Sequence, residues 1–390
     1  MRINGNDNGN GNDNGNGNFK ATKREATMTG TGITTMELFL RLVRNALWQT
    51  EEELPEELSA NMAANVLRGG REQGLLGLVI DALRRNKVRM PEEQSLEMMV
   101  MLMKVKRSNA KVNEGIRRMK ELFDGRGIDY VVVKGQAVGA YYPDPTLRQS
   151  GDIDYYCDAK NFPKAQEAVK EAWGINTDIE EERHVHYAYN GINYEGHFLL
   201  VMFYSKKKDH YWQQLMDEDA SSKAPIKGGN EMEVRTLSPT LHTVYVFIHL
   251  YIHLLDLGVG FRQFCDLAVM LHYCRNEIDH NRMQQILEVL GMEKAYRAVG
   301  CILTDCLGLP PQDLGCELST RDRRYKKRIL DIIRLRGNMG HYNLMTNNAG
   351  WKRNLELASI KFSHLVKLWP LSPDFCCRWF IHKFKKHSLL

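Results

Sequence analysis

No apolar run in this sequence approaches the roughly 20 residues needed to span a bilayer. The two longest candidates, 241–257 and 96–103, are broken by histidines and Asp256 or by Glu97. The first residues lack the apolar segment of a secretory signal, so the cytoplasm is the expected compartment. None of the eight cysteines, Cys157, Cys265, Cys274, Cys301, Cys306, Cys316, Cys376 and Cys377, forms a CxxC pair. That removes zinc-ribbon and thioredoxin-like chemistry and predicts reduced, mostly buried thiols. An HxxxH pair, His249 and His253, lacks the glutamate of the metalloprotease motif, so packing against a sheet is its expected role.

What is present fits an ordinary soluble protein. With 390 residues, 43% hydrophobic and 26% charged, the chain can bury a sizeable core as one large domain or two. The net charge of +5 conceals an asymmetry: Arg321 to Leu390 holds 16 Lys and Arg against 4 Asp and Glu, leaving an acidic body. A basic end of this kind suits a solvated helical face, nucleic acid or a peripheral membrane surface.

Organisation along the chain divides into five parts. Residues 1–35 open with a Gly/Asn/Asp repeat that has nothing to bury and is expected to be disordered; Met28 or Met36 would serve as a start as well as Met1. Residues 36–125 carry helical periodicity at 36–48, 55–67, 72–84 and 91–123, the last with Pro91 in its first turn and Glu92 and Glu93 near its positive end. Residues 126–236 contain strand patterns. Residues 237–320 return to helix at 239–255, 261–274, 281–290 and 293–307, and 321–390 form a basic tail with Trp351, Trp369, Trp379, Phe380 and Phe384 among its lysines. Such aromatics stack on bases, seat a helix at a membrane interface, or pack a core.

The chemistry concentrates between Asp129 and Asp158. Tyr130 to Val133 reads as a short buried strand that stops at Lys134-Gly135; Gln136 to Tyr142 reads as a short helix, ended by Pro143 and Pro145. A strand, a glycine turn and a helix start leave backbone N–H groups pointing one way, a geometry that holds phosphate. Arg148 and Gly151 then precede Asp152-Ile153-Asp154. On a strand, both aspartates project from one face about 7 Å apart at Cα, and a divalent cation between them relieves their repulsion. A solvated strand edge or a helix cap would also accommodate them.

Helix 162–173 leads to two strands, 184–189 and 193–204, joined by Asn190-Gly191, a favoured hairpin turn. Glu195 and His197 share a face of the second strand, as do His184 and His186 on the first, where the pair has no third ligand at a suitable spacing and reads as polar-face residues near a cleft. Lys206 to Lys208 reads as a solvated turn and 217–229 as a loop. Arg262 and Asp266, four apart on one helix, read as an ion pair facing the cleft or a structural salt bridge.

The order Lys134-Gly135, short helix, Tyr142-Pro143-Asp144-Pro145, Arg148, Gly151-Asp152-Ile153-Asp154 resembles the uncharacterised bacterial nucleotidyltransferases of the polymerase-beta superfamily. The resemblance extends from about residue 36 onward, and Gly337 to Gly340 is similar to a Gly-Asn-x-Gly segment of the same family. Lys134-Gly135-Gln136 stands where the broader superfamily has Gly-Gly-Ser, so no serine hydroxyl meets the triphosphate there; Lys-Gly is the usual form in the narrower family. The resemblance implies an α+β fold, a small mixed sheet with flanking helices between N-terminal and C-terminal helical regions. It implies Mg²⁺ (or Mn²⁺) on Asp152, Asp154 and a third carboxylate, Glu195, with His197 beside it. It further implies a nucleoside triphosphate held by Lys134, Gly135, Gln136 and Gly151, and Arg148 stabilising the developing phosphate charge. The acceptor would be a small-molecule hydroxyl, a protein side chain or an RNA end. Two other classes use the same residues: a metal-dependent glycosyltransferase acting on a nucleotide sugar, and an inactive nucleotide-binding protein.

Overall fold

A computed structural model describes residues 33–177, 183–226, 232–337 and 350–387. The Gly/Asn-rich repeat, Met28 and the residues 338–340 fall outside them. Four helices come first: α1 (Thr35–Trp48), α2 (Ala60–Glu72), α3 (Leu76–Arg85) and the 33-residue α4 (Glu92–Asp124). Side chains of Thr34 and Ser59 cap α1 and α2 by accepting backbone N–H groups, which is why α2 begins at Ala60 and not at Pro55. Gly77 on α3 lies so close to the Leu147 carbonyl that a Cβ would meet it at 2.2 Å, fixing that helix against the segment leading to the aspartates.

The chain then forms β1 (Val131–Val133), α5 (Gly135–Gly139), β2 (Asp152–Tyr156), α6 (Phe162–Trp173), β3 (His184–Tyr189) and β4 (Ile192–His197). The four strands make one mixed sheet in the order β1-β2-β4-β3, with β2 and β4 parallel and the outer pairs antiparallel. Asn190 and Gly191 both take positive φ, 51° and 70°, in the hairpin turn, as the Asn-Gly pair predicts. Strand β4 stops at His197, shorter than the expected 193–204; Leu200, Val201 and Phe203 are buried beyond it without pairing.

Two expectations are corrected. Lys206 to Lys208 open α7 (Lys206–Asp217), whose inner face buries Trp212, Leu215 and Met216 while the Asp209 carboxylate accepts the N–H groups of Phe203 and Ser205 at its start. Residues 217–229 contain β5 (Ser222–Ile226), paired with β6 (Met232–Thr236) in a separate two-stranded sheet.

Among the described residues, seven further α-helices follow: α8 (Pro239–Leu255), α9 (Phe261–Tyr273), α10 (His280–Leu290), α11 (Glu293–Asp305), α12 (Thr320–Arg336), α13 (Trp351–Leu368) and α14 (Pro373–His387). Helix α8 is apolar nearly all round and correspondingly buried. In the tail, Phe375 and Trp379 are buried whereas Trp351, Phe362 and Trp369 are exposed, so core packing accounts for only some of its aromatics. All eight cysteines are free and six are buried. No helix among the described residues is long and apolar enough to cross a membrane. The architecture is the expected α+β arrangement, a small mixed sheet between helical regions.

Candidate active site

Alternation along the strands gives the sheet two unlike faces. Val132, Ile153, Tyr155, Val185, Tyr187 and Tyr194 pack on one side with α4 and α6. The other side carries Asp152, Asp154, Glu195, His197, His184 and His186 and lines a cleft of about 280 Å³ closed by α8 and α9. Register orders these groups into rows: Asp154, Glu195 and His186 are direct neighbours across β2, β4 and β3, and His197 and His184 are neighbours in the next row.

Lys134 enters from the end of β1. Its φ of 53° is strained for a non-glycine residue, and the conformation is held by its N–H donating to His242 Nε2 at 3.2 Å. His242 Nδ1 in turn lies 3.2 Å from Thr236 Oγ1; burial brings its pKa down to about 4, leaving Nε2 as the neutral acceptor. The Lys134 ammonium contacts Asp154 Oδ1 at 2.5 Å and His249 Nε2 at 3.0 Å. Burial pushes its pKa down, but Asp154 and the other acidic groups around it more than offset that and hold it above the ordinary lysine value.

Asp154 is the buried centre of the site. Burial raises its pKa, and the opposing pull of Lys134 and His197 takes it below the usual carboxylate range. His197 Nε2 lies between two carboxylates, 3.3 Å from Asp154 Oδ1 and 3.4 Å from Glu195 Oε1. Burial lowers its pKa despite those neighbours. Asp152 opens to solvent at the cleft mouth; the charge of Asp154 first, and desolvation second, raise its pKa. Among the described residues, two groups each bring their donor atoms within 4.8 Å of one another: Asp154, Glu195 and His197, and His184, His186 and Glu195. Asp152, expected as a metal ligand, belongs to neither. Glu195 is the neighbour that His184 and His186 lacked in the sequence, because it sits on the adjoining strand.

Arg148 and Gln136 differ from expectation. The Arg148 guanidinium donates Nε and Nη2 to the two oxygens of Asp266, each at 2.8 Å, and Nη1 to Ser150 Oγ. Tyr142 donates to the same carboxylate at 2.7 Å. Arg148 is therefore a buried brace at the edge of the cleft, with its fork committed, and Asp266 pairs with it in place of the Arg262 partner that helical spacing predicted. Gln136 turns away from the cleft: its carbonyl accepts from Ser150 Oγ at 2.5 Å and its amide donates to Asn113 and Asn109 on α4. Gly135 and Gly151 line the cleft. Arg262 also lines the cleft; it donates Nη1 to the Gln149 carbonyl at 2.7 Å while its Nε has no hydrogen-bond partner among the described residues.

Helix α8 supplies the opposite wall. His242, Tyr245, His249 and His253 recur at spacings of 3, 4 and 4 on one face, and His253 Nε2 lies 3.1 Å from His249 Nε2. Burial holds both of these histidines well below their ordinary pKa, to about 4 for His253. The hydroxyl of Tyr245 is buried and has no partner among the described residues. Tyr245 was missed in the sequence although its spacing to His249 and His253 carried the signal; nothing there said which way that stripe faces.

A family model described as uncharacterised nucleotidyltransferase matches residues 60–308, from the start of α2 to just past α11. No curated protein and no solved structure matches the chain.

Proposed function

The chain belongs to the uncharacterised nucleotidyltransferase family, and from that premise we propose that it transfers a nucleoside monophosphate from a nucleoside triphosphate to an acceptor hydroxyl, releasing pyrophosphate. The observation that supports this reading most is the convergence of Asp154, Glu195 and His197 donor atoms within 4.8 Å, directly beside the Lys134-Gly135 turn.

The donor set fits a divalent cation such as Mg²⁺ or Mn²⁺: two carboxylates supply hard oxygen and an imidazole is available next to them. Bound there, or on Asp152 at the mouth, such an ion would polarise the α-phosphate and lower the pKa of the acceptor hydroxyl. The other roles fall to the chain. Lys134, fixed by His249 and its strained backbone, brings a permanent positive charge to the triphosphate, and Gly135 lets the backbone approach it. Arg262 meets the charge that develops on the phosphate; Arg148, tied to Asp266, is a positioning residue that holds the segment before Asp152. Glu195, less buried than Asp154, accepts the acceptor's proton.

A glycosyltransferase would use Asp152 and Asp154 but gives no role to Lys134-Gly135 or Glu195. The test is incubation with each of four α-labelled nucleoside triphosphates, Mg²⁺ or Mn²⁺, and small-molecule, protein and RNA fractions of a lysate, alongside Asp152→Ala/Asp154→Ala. Label moving to one fraction, and not moving with the double variant, supports the proposal and identifies acceptor class and nucleotide. Metal-dependent nucleotide binding with no transfer would favour an inactive nucleotide-binding protein, and transfer of sugar from a nucleotide sugar would favour the glycosyltransferase.

A further inference from the structure

We propose that His184, His186 and Glu195 form a second metal position, selective for a transition ion such as Co²⁺, Zn²⁺ or, more weakly, Mn²⁺ over Mg²⁺, with Glu195 shared between it and the Asp154/His197 position. The β3–β4 register sets His186 directly opposite Glu195 and His184 directly opposite His197. Period-two alternation then brings all four side chains to one face at the edge of the sheet. The donor atoms of His184, His186 and Glu195 lie within 4.8 Å of one another, with His184 Nδ1 at 3.6 Å from Glu195 Oε1.

The rings pack closely. His184 and His186 have centroids 4.5 Å apart at 82°, and His184 and His197 are 5.3 Å apart. That spacing places their ring nitrogens where they can reach a common cation together with Glu195. Two nitrogens and one carboxylate form a donor set that suits zinc, manganese and cobalt; Mg²⁺ prefers oxygen and retains its waters. Three protein ligands also leave coordination open for an exogenous oxygen. His186 lines both the cleft and a neighbouring groove with Asp152, Asn193 and Arg262, so this position can be reached from the groove as well as from the cleft.

The binding position stands on its own residues; only its consequence rests on the nucleotidyl-transfer reading, in which an ion there would serve the acceptor side and make turnover prefer Mn²⁺ or Co²⁺ to Mg²⁺. The experiment is titration of the chelator-treated full chain with Co²⁺ in saturating Mg²⁺, followed by visible absorption, and with Zn²⁺ followed by calorimetry. His186→Ala is the main variant because His186 is exposed on its strand; buried His184→Asn is the second, with a melting curve to establish that it folds, and Asp152→Ala is the control outside both donor groups.

The expected result is Co²⁺ binding that Mg²⁺ does not displace and that Asp152→Ala leaves intact. Loss of a direct ligand in His186→Ala should weaken it by more than the roughly 10–100-fold that losing an outer-shell partner costs. Equal Co²⁺ affinity in wild type and His186→Ala, displacement by Mg²⁺, or no Co²⁺ bound would each overturn the proposal. Failure of nucleotidyl transfer with every metal while Co²⁺ binding still depends on His186 would remove the reaction and leave the metal position standing. Transfer with Mg²⁺ that His186→Ala does not alter, in a protein that binds no Co²⁺, would do the reverse.

Discussion

Both faces of the four-stranded sheet are rich in groups that can hydrogen-bond, and they treat them differently. On the face packed against α4 and α6, Tyr155 and Tyr187 share a hydrogen bond of 3.1 Å, Tyr194 donates to the Gly115 carbonyl at 3.2 Å, and Tyr187 stacks on Tyr194 at 5.1 Å. These hydroxyls are satisfied and the rings close-packed: a Cβ on Gly196 would meet Tyr155 Oη at 2.4 Å, and one on Gly115 would meet Ile153, Ile192 and Tyr194 within 3 Å. Across the cleft face, His197 Nδ1, Tyr245 Oη and Arg262 Nε are buried without hydrogen-bond partners among the described residues, beside carboxylates that crowd one another. Buried polar atoms are ordinarily paired. The difference teaches that one face of the sheet satisfies its polar groups internally, whereas the other leaves several of them unpaired in a cleft, as the proposed function requires.

Substitutions can break that contrast. The largest effect is expected on the cleft face: Asp154→Asn keeps an acceptor for Lys134 but removes the central charge, and nucleotidyl transfer should fall by at least about 10²–10³-fold, a larger effect than the loss of stability from leaving the Lys134 ammonium to Glu195 and Asp152. A comparable loss of stability with retained turnover would invert the assignment of faces. Next comes the brace behind the cleft. Arg148→Ala leaves Asp266 buried and uncompensated, a cost of about 3–5 kcal/mol, visible as a lower urea midpoint. Arg148→Met paired with Asp266→Leu should recover much of it, and no difference between the single and double variants would show that the pair is not what holds the site.

The aromatic face gives a smaller effect. Gly196→Ala forces Tyr155 to move and should destabilise by about 1–3 kcal/mol, again by urea unfolding, although Gly196 adjoins both Glu195 and His197 in sequence. The smallest effect is on pH dependence. His242 is buried with a pKa of about 4, against roughly 6.5 in an unfolded chain. Between those values the unfolded state binds a proton that the fold does not, so this contribution is complete above pH 6.5 and drains away as pH falls toward 4. His242→Gln retains an acceptor for the Lys134 N–H without titrating, and its melting temperature should fall less steeply from pH 6.5 to 4.5 than that of wild type. An unchanged slope would contradict a buried neutral His242.

Much of this was legible in the sequence, and what was not has physical causes. Period two placed Asp152 with Asp154 and Glu195 with His197, and Asn190-Gly191 marked the hairpin, because these are local consequences of backbone geometry. The pairing of His184 and His186 with Glu195 depends on the β3–β4 register, and that of Arg148 with Asp266 joins residues 118 apart in sequence; neither is local. Lys206 to Lys208 hid a helix start because the side chains that make it amphipathic, Trp212, Leu215 and Met216, come a turn or more later. Strand β5 was hidden by its shortness and by Pro225, which a two-stranded edge tolerates.

The central claim is attack at the α-phosphorus, and it is tested most directly by running the acceptor-containing reaction in parallel with α-labelled and γ-labelled nucleoside triphosphate. The α label should transfer to the acceptor while the γ label leaves in pyrophosphate, and Asp154→Asn should abolish both. Transfer of the γ label to the acceptor would make the protein a phosphotransferase and contradict the account.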